Sequence, residues 1–149
     1  MLVETKYFGK IEIDKEQIIT FEDGIFGFNQ YHEYTILFAN DILCWLQSVE
    51  DKDIVLPMIV TPLVFPDYSP DVDDELILRI GKLNQEDLVL YNIIVVPEDV
   101  EKMTTNLKAP IIINSKSNKG IQVILDSDEY NIKHNLYEHL KESKQKVGE

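Results

Sequence analysis

Sulfur chemistry is almost missing from this chain, which has one cysteine, Cys44, in 149 residues. No internal disulfide can form, and one thiol cannot assemble a thiolate zinc site. Cys44 lies within "ILCWLQSV" and reads as a buried, inert thiol in a reducing compartment. Positive charge is also in short supply, with 14 Lys and Arg against 27 Asp and Glu and a formal net charge of −13. Such a field repels nucleic-acid phosphates and anionic membranes and speeds encounter with basic proteins, so neither nucleic acid nor membrane is expected as a direct partner. No apolar run is long enough to span a bilayer. The opening "MLVETKYFGKIEID" carries charges throughout and lacks the apolar core of a secretory signal. A cytoplasmic protein is the expectation.

Catalytic signatures are equally thin. Histidine, the usual general base near neutral pH, is limited to His32, His134 and His139. The last two are five residues apart, a spacing that on one helix places them on different faces and argues against metal ligation. There is no G-x-S-x-G elbow, P-loop or dinucleotide fingerprint. Gly24 and Gly27 in "FEDGIFGF" are read as a loop that needs positive φ rather than as a phosphate cradle. Paired carboxylates alone suffice for glycoside hydrolysis, and an acid-dependent hydrolase or carbohydrate-binding barrel is the rival reading. No acid is marked as buried by its sequence context, so the chain is expected to be a non-enzyme with neither cofactor nor metal.

What the chain does have is period-two patterning. Val3, Thr5, Tyr7, Ile11 and Ile13 share one parity and charged residues the other, predicting a strand pair or a long bent strand with Gly9 at the bend. Further strands are predicted at Gln17–Phe21, Tyr34–Ala39, Leu43–Val49, Ile54–Val60, Leu88–Val96, Ala109–Asn114 and Ile121–Asp126. "NSKSNKG" reads as a hairpin turn between the last two. Trp45 is assigned to the core on the alternation of its strand. Pro57, Pro62, Pro66, Pro70 and Pro110 cannot donate to a ladder and are expected at edges, bulges or strand ends. Helix is scarce. Val72, Leu76, Ile77 and Ile80 have helical spacing with Gly81 as a left-handed stop, and Asn84 to Asp87 form one capped turn. From Asn135 an amphipathic helix using Leu136, Tyr137 and Leu140 fades into a frayed "KESKQKVGE". The predicted fold is mainly β: a small antiparallel, barrel-like single domain over 1–149 with one or two short helices.

Charge concentrates in the middle third. Pro66 to Glu101 holds ten acids against Arg79 and Lys82. This negative stretch adjoins a Phe65-Pro66 corner in "TPLVFPDYSPDVDDEL". A kinked apolar ridge beside carboxylates suits either acid chemistry in a cleft or electrostatic docking of a basic partner.

Several separated motifs in order carry a resemblance. They are "TKYFGKIEI" (5–13), "ITFEDGIFGF" (19–28), "LQSVEDKDI" (46–54), "FPDYSPDVDDE" (65–75), "NLKAPIIINSKSNKGIQVIL" (106–125) and "YNIKHNL" (130–136). With these the chain resembles the FliW family of bacterial flagellar assembly factors along nearly its whole length. One departure is Gly24-Ile25-Phe26-Gly27-Phe28, where the family usually reads Gly-Ile-Pro-Gly-Phe; a looser loop or an extra surface aromatic is expected. The resemblance implies a cytoplasmic regulator that binds the C-terminal region of flagellin. It also implies binding to CsrA, a small dimeric RNA-binding repressor of flagellin translation, so that export of flagellin frees the regulator to lift repression. A flagellin chaperone without CsrA antagonism is the alternative within the family. Asp67, Asp71, Asp73, Asp74 and Glu75 are the candidates for steering or repulsion at CsrA, by imitation of RNA phosphates or, as family precedent favours, by noncompetitive docking. Phe65, Pro66 and Tyr68, with Pro57, Leu107, Ala109 and Pro110, are the candidates for the wall of an apolar flagellin groove.

Overall fold

Alternation in the strand-forming segments becomes a closed barrel whose outer face is covered in three places. The structure, a computed structural model, describes residues 1–81 and 85–146. An N-terminal hairpin of β1 (Leu2–Glu4) and β2 (Lys10–Glu12) is separate from the barrel. The barrel strands in chain order begin with β3 (Ile19–Thr20), β4 (Glu33–Phe38), β5 (Leu43–Ser48) and β6 (Val55–Val60). Then come α1 (Thr61–Val64), α2 (Asp74–Leu78) and β7 (Leu88–Val95). The chain finishes with β8 (Thr104–Thr105), β9 (Ile111–Asn114), β10 (Lys119–Gln122), β11 (His134–Asn135) and α3 (Tyr137–Lys146). Hydrogen-bonded order runs β7-β6-β5-β4-β3-β10-β9 and returns to β7 through Leu88–Tyr91 against Ile111–Asn114, which closes seven strands into a barrel. Beyond Tyr91, β7 leaves β9 and pairs with β8 at Ile94 and Val95, and β11 adds outside β8.

The antiparallel expectation holds at every pairing except one. β3 and β10 run parallel at Thr20 and Lys119, supported by the Thr20 N–H donating to the Asn118 carbonyl at 2.9 Å. Closure thus joins two strands distant in sequence without a hairpin between them. The predicted hairpin over Asn114–Gly120 does form, between β9 and β10. Its ladder stops being regular where Pro110 supplies no donor, although the Val123 and Leu125 amides still reach the Pro110 and Lys108 carbonyls.

Inside the barrel lie Ile19, Phe21, Tyr34, Cys44, Leu46, Met58, Tyr91, Ile111 and Ile113. Burial pushes the Cys44 thiol up to about 12, which leaves it protonated and unreactive. Gly120 is needed by close approach: a Cβ there would meet the Phe21 ring at 2.5 Å. Trp45 departs from its expected place. Cys44, Leu46 and Ser48 take the inward parity of β5, while Trp45 is half-buried on the outer face with its ring 4.9 Å from Tyr7 of the N-terminal hairpin. The same hairpin covers Gln47, whose Oε1 accepts from the Lys6 amide at 3.2 Å. Outer polar parity is therefore buried too, and alternation alone misassigned which set faces in. Pro57 pairs with Trp45 on the β5 side; β7 pairing begins only at Met58, so the other side of β6 is open there.

The other two covers are helical. Ile42, Ile59, Val64, Ile94, Leu136 and Leu140 form a cluster under α1 and α3. Ile77 and Ile80 pack on Ile112, Ile121, Val123 and Leu125 under α2. α2 is shorter than its apolar spacing suggests: after Leu78 the amides of Arg79, Ile80 and Gly81 bond three residues back, a tighter winding, and Gly81 has φ 133° rather than a left-handed helical value. α3 is longer than expected and continues through Lys146, while residues 147–149 of the expected frayed end lie outside the described residues. The turn ahead of β7 forms as a 3-10 helix over Gln85–Asp87, with the proposed Asn84 cap outside the described residues. Among the described residues no helix is long and apolar enough to cross a membrane.

Candidate functional site

The Phe-Pro corner is set by hydrogen bonds that turn the chain off the barrel. Pro62 occupies the first turn of α1, where its missing N–H is harmless. The Phe65 amide closes the helix by donating to the Thr61 carbonyl at 2.8 Å, and the Tyr68 amide donates to the Phe65 carbonyl at 3.0 Å. Tyr68 then reaches back toward the barrel, its Oη donating to the Leu107 carbonyl at 2.5 Å. The same oxygen accepts from Asn92 Nδ2 at 3.4 Å. Fully buried Asn92 also donates to the Asn106 carbonyl at 2.7 Å and accepts from Thr61 Oγ1 at 2.5 Å. Burial pushes the Tyr68 hydroxyl up to about 12, with the Asn92 hydrogen bond opposing and Tyr130 adding to the rise. It stays a proton donor and anchors the corner to β7 and the segment after β8.

Beneath the corner is a cleft of about 360 Å³ lined by Phe65, Tyr68, Leu107, Tyr130, His134 and His139, with Asp67 and Glu129 among its carboxylates. The Phe65 ring meets His134 edge-on at 5.3 Å and His139 at 4.7 Å, and Tyr68 meets Tyr130 edge-on at 4.8 Å. Loss of hydration, and then the neighbouring His139, hold the His134 imidazole below its ordinary 6.5. On the other side of Tyr130 lies a groove of about 500 Å³. Asp71 and Asp73 stand on one wall, Asp126 and Glu129 on the other, and Val72, Leu76, Val123 and Leu125 supply apolar surface between them. Among the described residues no lysine or arginine lines either depression. A third hollow of about 350 Å³, lined by Tyr68, Asp71, Asp74 and Leu88 among others, joins them around the corner.

The residues singled out from sequence separate into groups. Phe65, Pro66, Asp67, Tyr68 and Leu107 meet in the aromatic cleft. Asp71 and Asp73 meet in the acidic groove, and Asp74 lines the third hollow. Glu75 is exposed on α2 and lines none of these depressions. Pro57 stands in β6, while Ala109 and Pro110 are buried; these three lie outside both clefts. Leu107 is also buried, and its backbone carbonyl accepts from Tyr68 Oη.

Tyr130, Glu129, His134 and His139 were not among the sequence candidates. The helical argument that separated the two histidines fails because they occupy different elements: His134 is on β11 and His139 on α3, and their rings lie 5.8 Å apart. Periodicity carries no signal across a strand-to-helix boundary. Among the described residues no three His, Cys, Asp or Glu side chains converge as a metal-binding group.

Residues 2–136 match the family model described as FliW protein. The chain belongs to the FliW family. Flagellar assembly factor FliW of Thermoanaerobacter pseudethanolicus is 48% identical over 147 residues, spanning 95% of this chain and 96% of that one. The FliW of Lachnoclostridium phytofermentans is 40% identical over 143 residues, spanning 93% and 92%. A crystal structure of a flagellar assembly factor FliW superposes with a TM-score of 0.86 at 35% identity, covering 92% of this chain and 97% of that one. Within this FliW-family chain, the loop that departs from the usual Gly-Ile-Pro-Gly-Phe stays tied down. Gly24 and Gly27 have φ of 72° and 86°, and Phe26 is the extra surface aromatic, 67% exposed. Its amide donates to Gln122 Oε1 at 2.9 Å, a bond that proline in that place lacks the hydrogen to make.

Proposed function

We propose that this chain is a non-enzymatic, cytoplasmic regulator that binds the C-terminal region of flagellin and antagonises CsrA, coupling flagellin synthesis to export. The observation that carries the reading is a pair of adjoining depressions, one aromatic and one carboxylate-walled, in a FliW-family chain of net charge −13. A basic RNA-binding partner is drawn to such a surface by its field, and an amphipathic segment poorly structured on its own finds apolar walls beside it. A binding role is favoured over hydrolysis because Asp67, Asp71, Asp73, Asp74 and Glu75 are all exposed. An acid catalyst of the glycosidase kind requires a desolvated carboxyl.

The test is titration of the purified protein against CsrA with and without its target RNA. Stoichiometric capture that releases RNA is expected. Asn at Asp71, Asp73 and Asp126 together should slow association about tenfold at low salt and flatten its salt dependence. Retention of flagellin with no binding to CsrA would leave the flagellin chaperone reading in its place.

A further inference from the structure

Five aromatic rings, those of Phe65, Tyr68, Tyr130, His134 and His139, line one cleft that contains carboxylates and, among the described residues, no lysine or arginine. We propose that this aromatic cleft receives the ammonium head of a lysine side chain presented by a partner protein.

Ring faces carry negative quadrupole potential and attract a cation placed over them, most strongly where water is excluded. Here the rings are not free to flatten onto one another. Tyr68 is fixed through its Oη to the Leu107 carbonyl, and Tyr130 meets it at 76°. Phe65 meets His134 at 81° and His139 at 44°. Faces set at such angles form a corner for a compact head, whereas a planar guanidinium stacks best along a flat ring face. Asp67 and Glu129 supply the charge that draws the cation in. A volume of about 360 Å³ admits a four-carbon stem with its head.

The His134 imidazole makes occupancy depend on pH. Among the described residues, the titratable or charged groups facing the cleft are Asp67 and Tyr68 from the corner after α1, Glu129 and Tyr130 from the loop before β11, His134 from β11 and His139 from α3. With neutral histidines the cleft is a cation receptor. Protonation of His134 places a positive charge on a ring that a lysine would have to touch, and the site then expels it. The source of the lysine rests on the protein-binding reading above, but the cation preference belongs to the cleft itself.

The test uses the full chain and small probes, with aromatic resonances of Tyr68, Tyr130, His134 and His139 followed by NMR. At pH 7.5, n-butylammonium should give saturable shifts on those rings, and neutral 1-butanol should bind roughly three- to tenfold more weakly, the range of a partly desolvated cation–π contact. Tyr130→Leu should lose a similar factor for the amine, with folding checked by retained methyl shifts of the barrel interior. Amine affinity should fall at pH 5.5, and His134→Gln should reduce that fall. Equal binding of 1-butanol overturns the proposal, as does tighter binding of n-propylguanidinium, an undiminished Tyr130→Leu, or affinity independent of pH. Because the probe is a small amine, its failure and failure of the CsrA titration are separate results.

Discussion

The aromatic cleft and the acidic groove share Glu129 and Tyr130, yet their remaining walls are held by different forces. The corner of the aromatic cleft is anchored by directional bonds: Thr61, Asn92, Tyr68 and the Asn106 and Leu107 carbonyls satisfy one another in a buried network. The wall of the acidic groove is α2, which rests mainly on apolar contact with β9, β10 and the segment that follows. Its polar ties are few. Asp73 Oδ1 accepts from the Glu75 amide at 3.3 Å, Ser117 Oγ donates to the Ile80 carbonyl, and Arg79 pairs with Asp23 at 3.4 Å on the surface, a contact of small value. Directional bonding fixes ring positions to a fraction of an ångström, which selection of a single cation requires. Apolar packing fixes a surface while tolerating small displacements, which suits electrostatic attraction acting over a Debye length.

Breaking the network should cost the most. Asn92→Leu leaves the Asn106 carbonyl, Thr61 Oγ1 and Tyr68 Oη without their buried partner, and destabilisation by about 3 kcal/mol is expected in denaturant titration. A loss under about 1 kcal/mol would mean that packing, not bonding, holds the corner. Tyr68→Phe is the finer cut. It leaves the Leu107 carbonyl and one long Asn92 Nδ2 N–H without a partner, while the other N–H keeps Asn106, so about 1–2 kcal/mol is expected with the ring still in place.

Much of the barrel was legible because strands announce themselves by β-branched alternation and by the turn chemistry between them. The β9–β10 hairpin and the run β4 to β7 follow from local pattern. What escaped was non-local. The parallel β3–β10 contact and the closure of β7 on β9 join segments far apart in sequence. β8 and β11 are two residues each, too short for a period to register. Trp45 was misread because the N-terminal hairpin buries the outer face of β5, erasing the polarity contrast that tells inside from outside. At the candidate site, proline spacing and the density of acids marked the corner and α2. Tyr130, His134 and His139 arrive from more than sixty residues away, and nothing in their local pattern says that they meet Phe65 and Tyr68.

The acidic side should respond more weakly to loss of its one side-chain cap. Asp73→Ala removes the acceptor for the Glu75 amide, and about 0.5 kcal/mol is expected, near the low end for an N-cap because α2 is short and exposed at that end. Hydrogen exchange sharpens the contrast: the Leu76 and Ile77 amides should exchange faster in the variant while the Phe65 amide of α1 is unchanged. Equal acceleration at both would show that corner and α2 open as one unit.

The smallest effect concerns protons. In the unfolded chain His134 takes up a proton near its ordinary 6.5; in the folded chain, desolvation and His139 delay that uptake to lower pH. Between the two values the unfolded state binds more protons, so stability rises with pH across that window and is lost as pH falls through it. Above 6.5 the imidazole is neutral in both states and contributes no slope; below the folded value it is charged in both, and the loss is complete. Carboxylates titrating nearby add their own slope, which subtraction removes. The difference in stability between the parent chain and His134→Gln, measured by denaturant titration from pH 7.5 to 5, should therefore shift against the parent only as the medium becomes acidic. A difference that is constant over that range would mean that His134 is as well solvated in the folded cleft as in the open chain, and the cleft would lose its claim to exclude water from a bound cation.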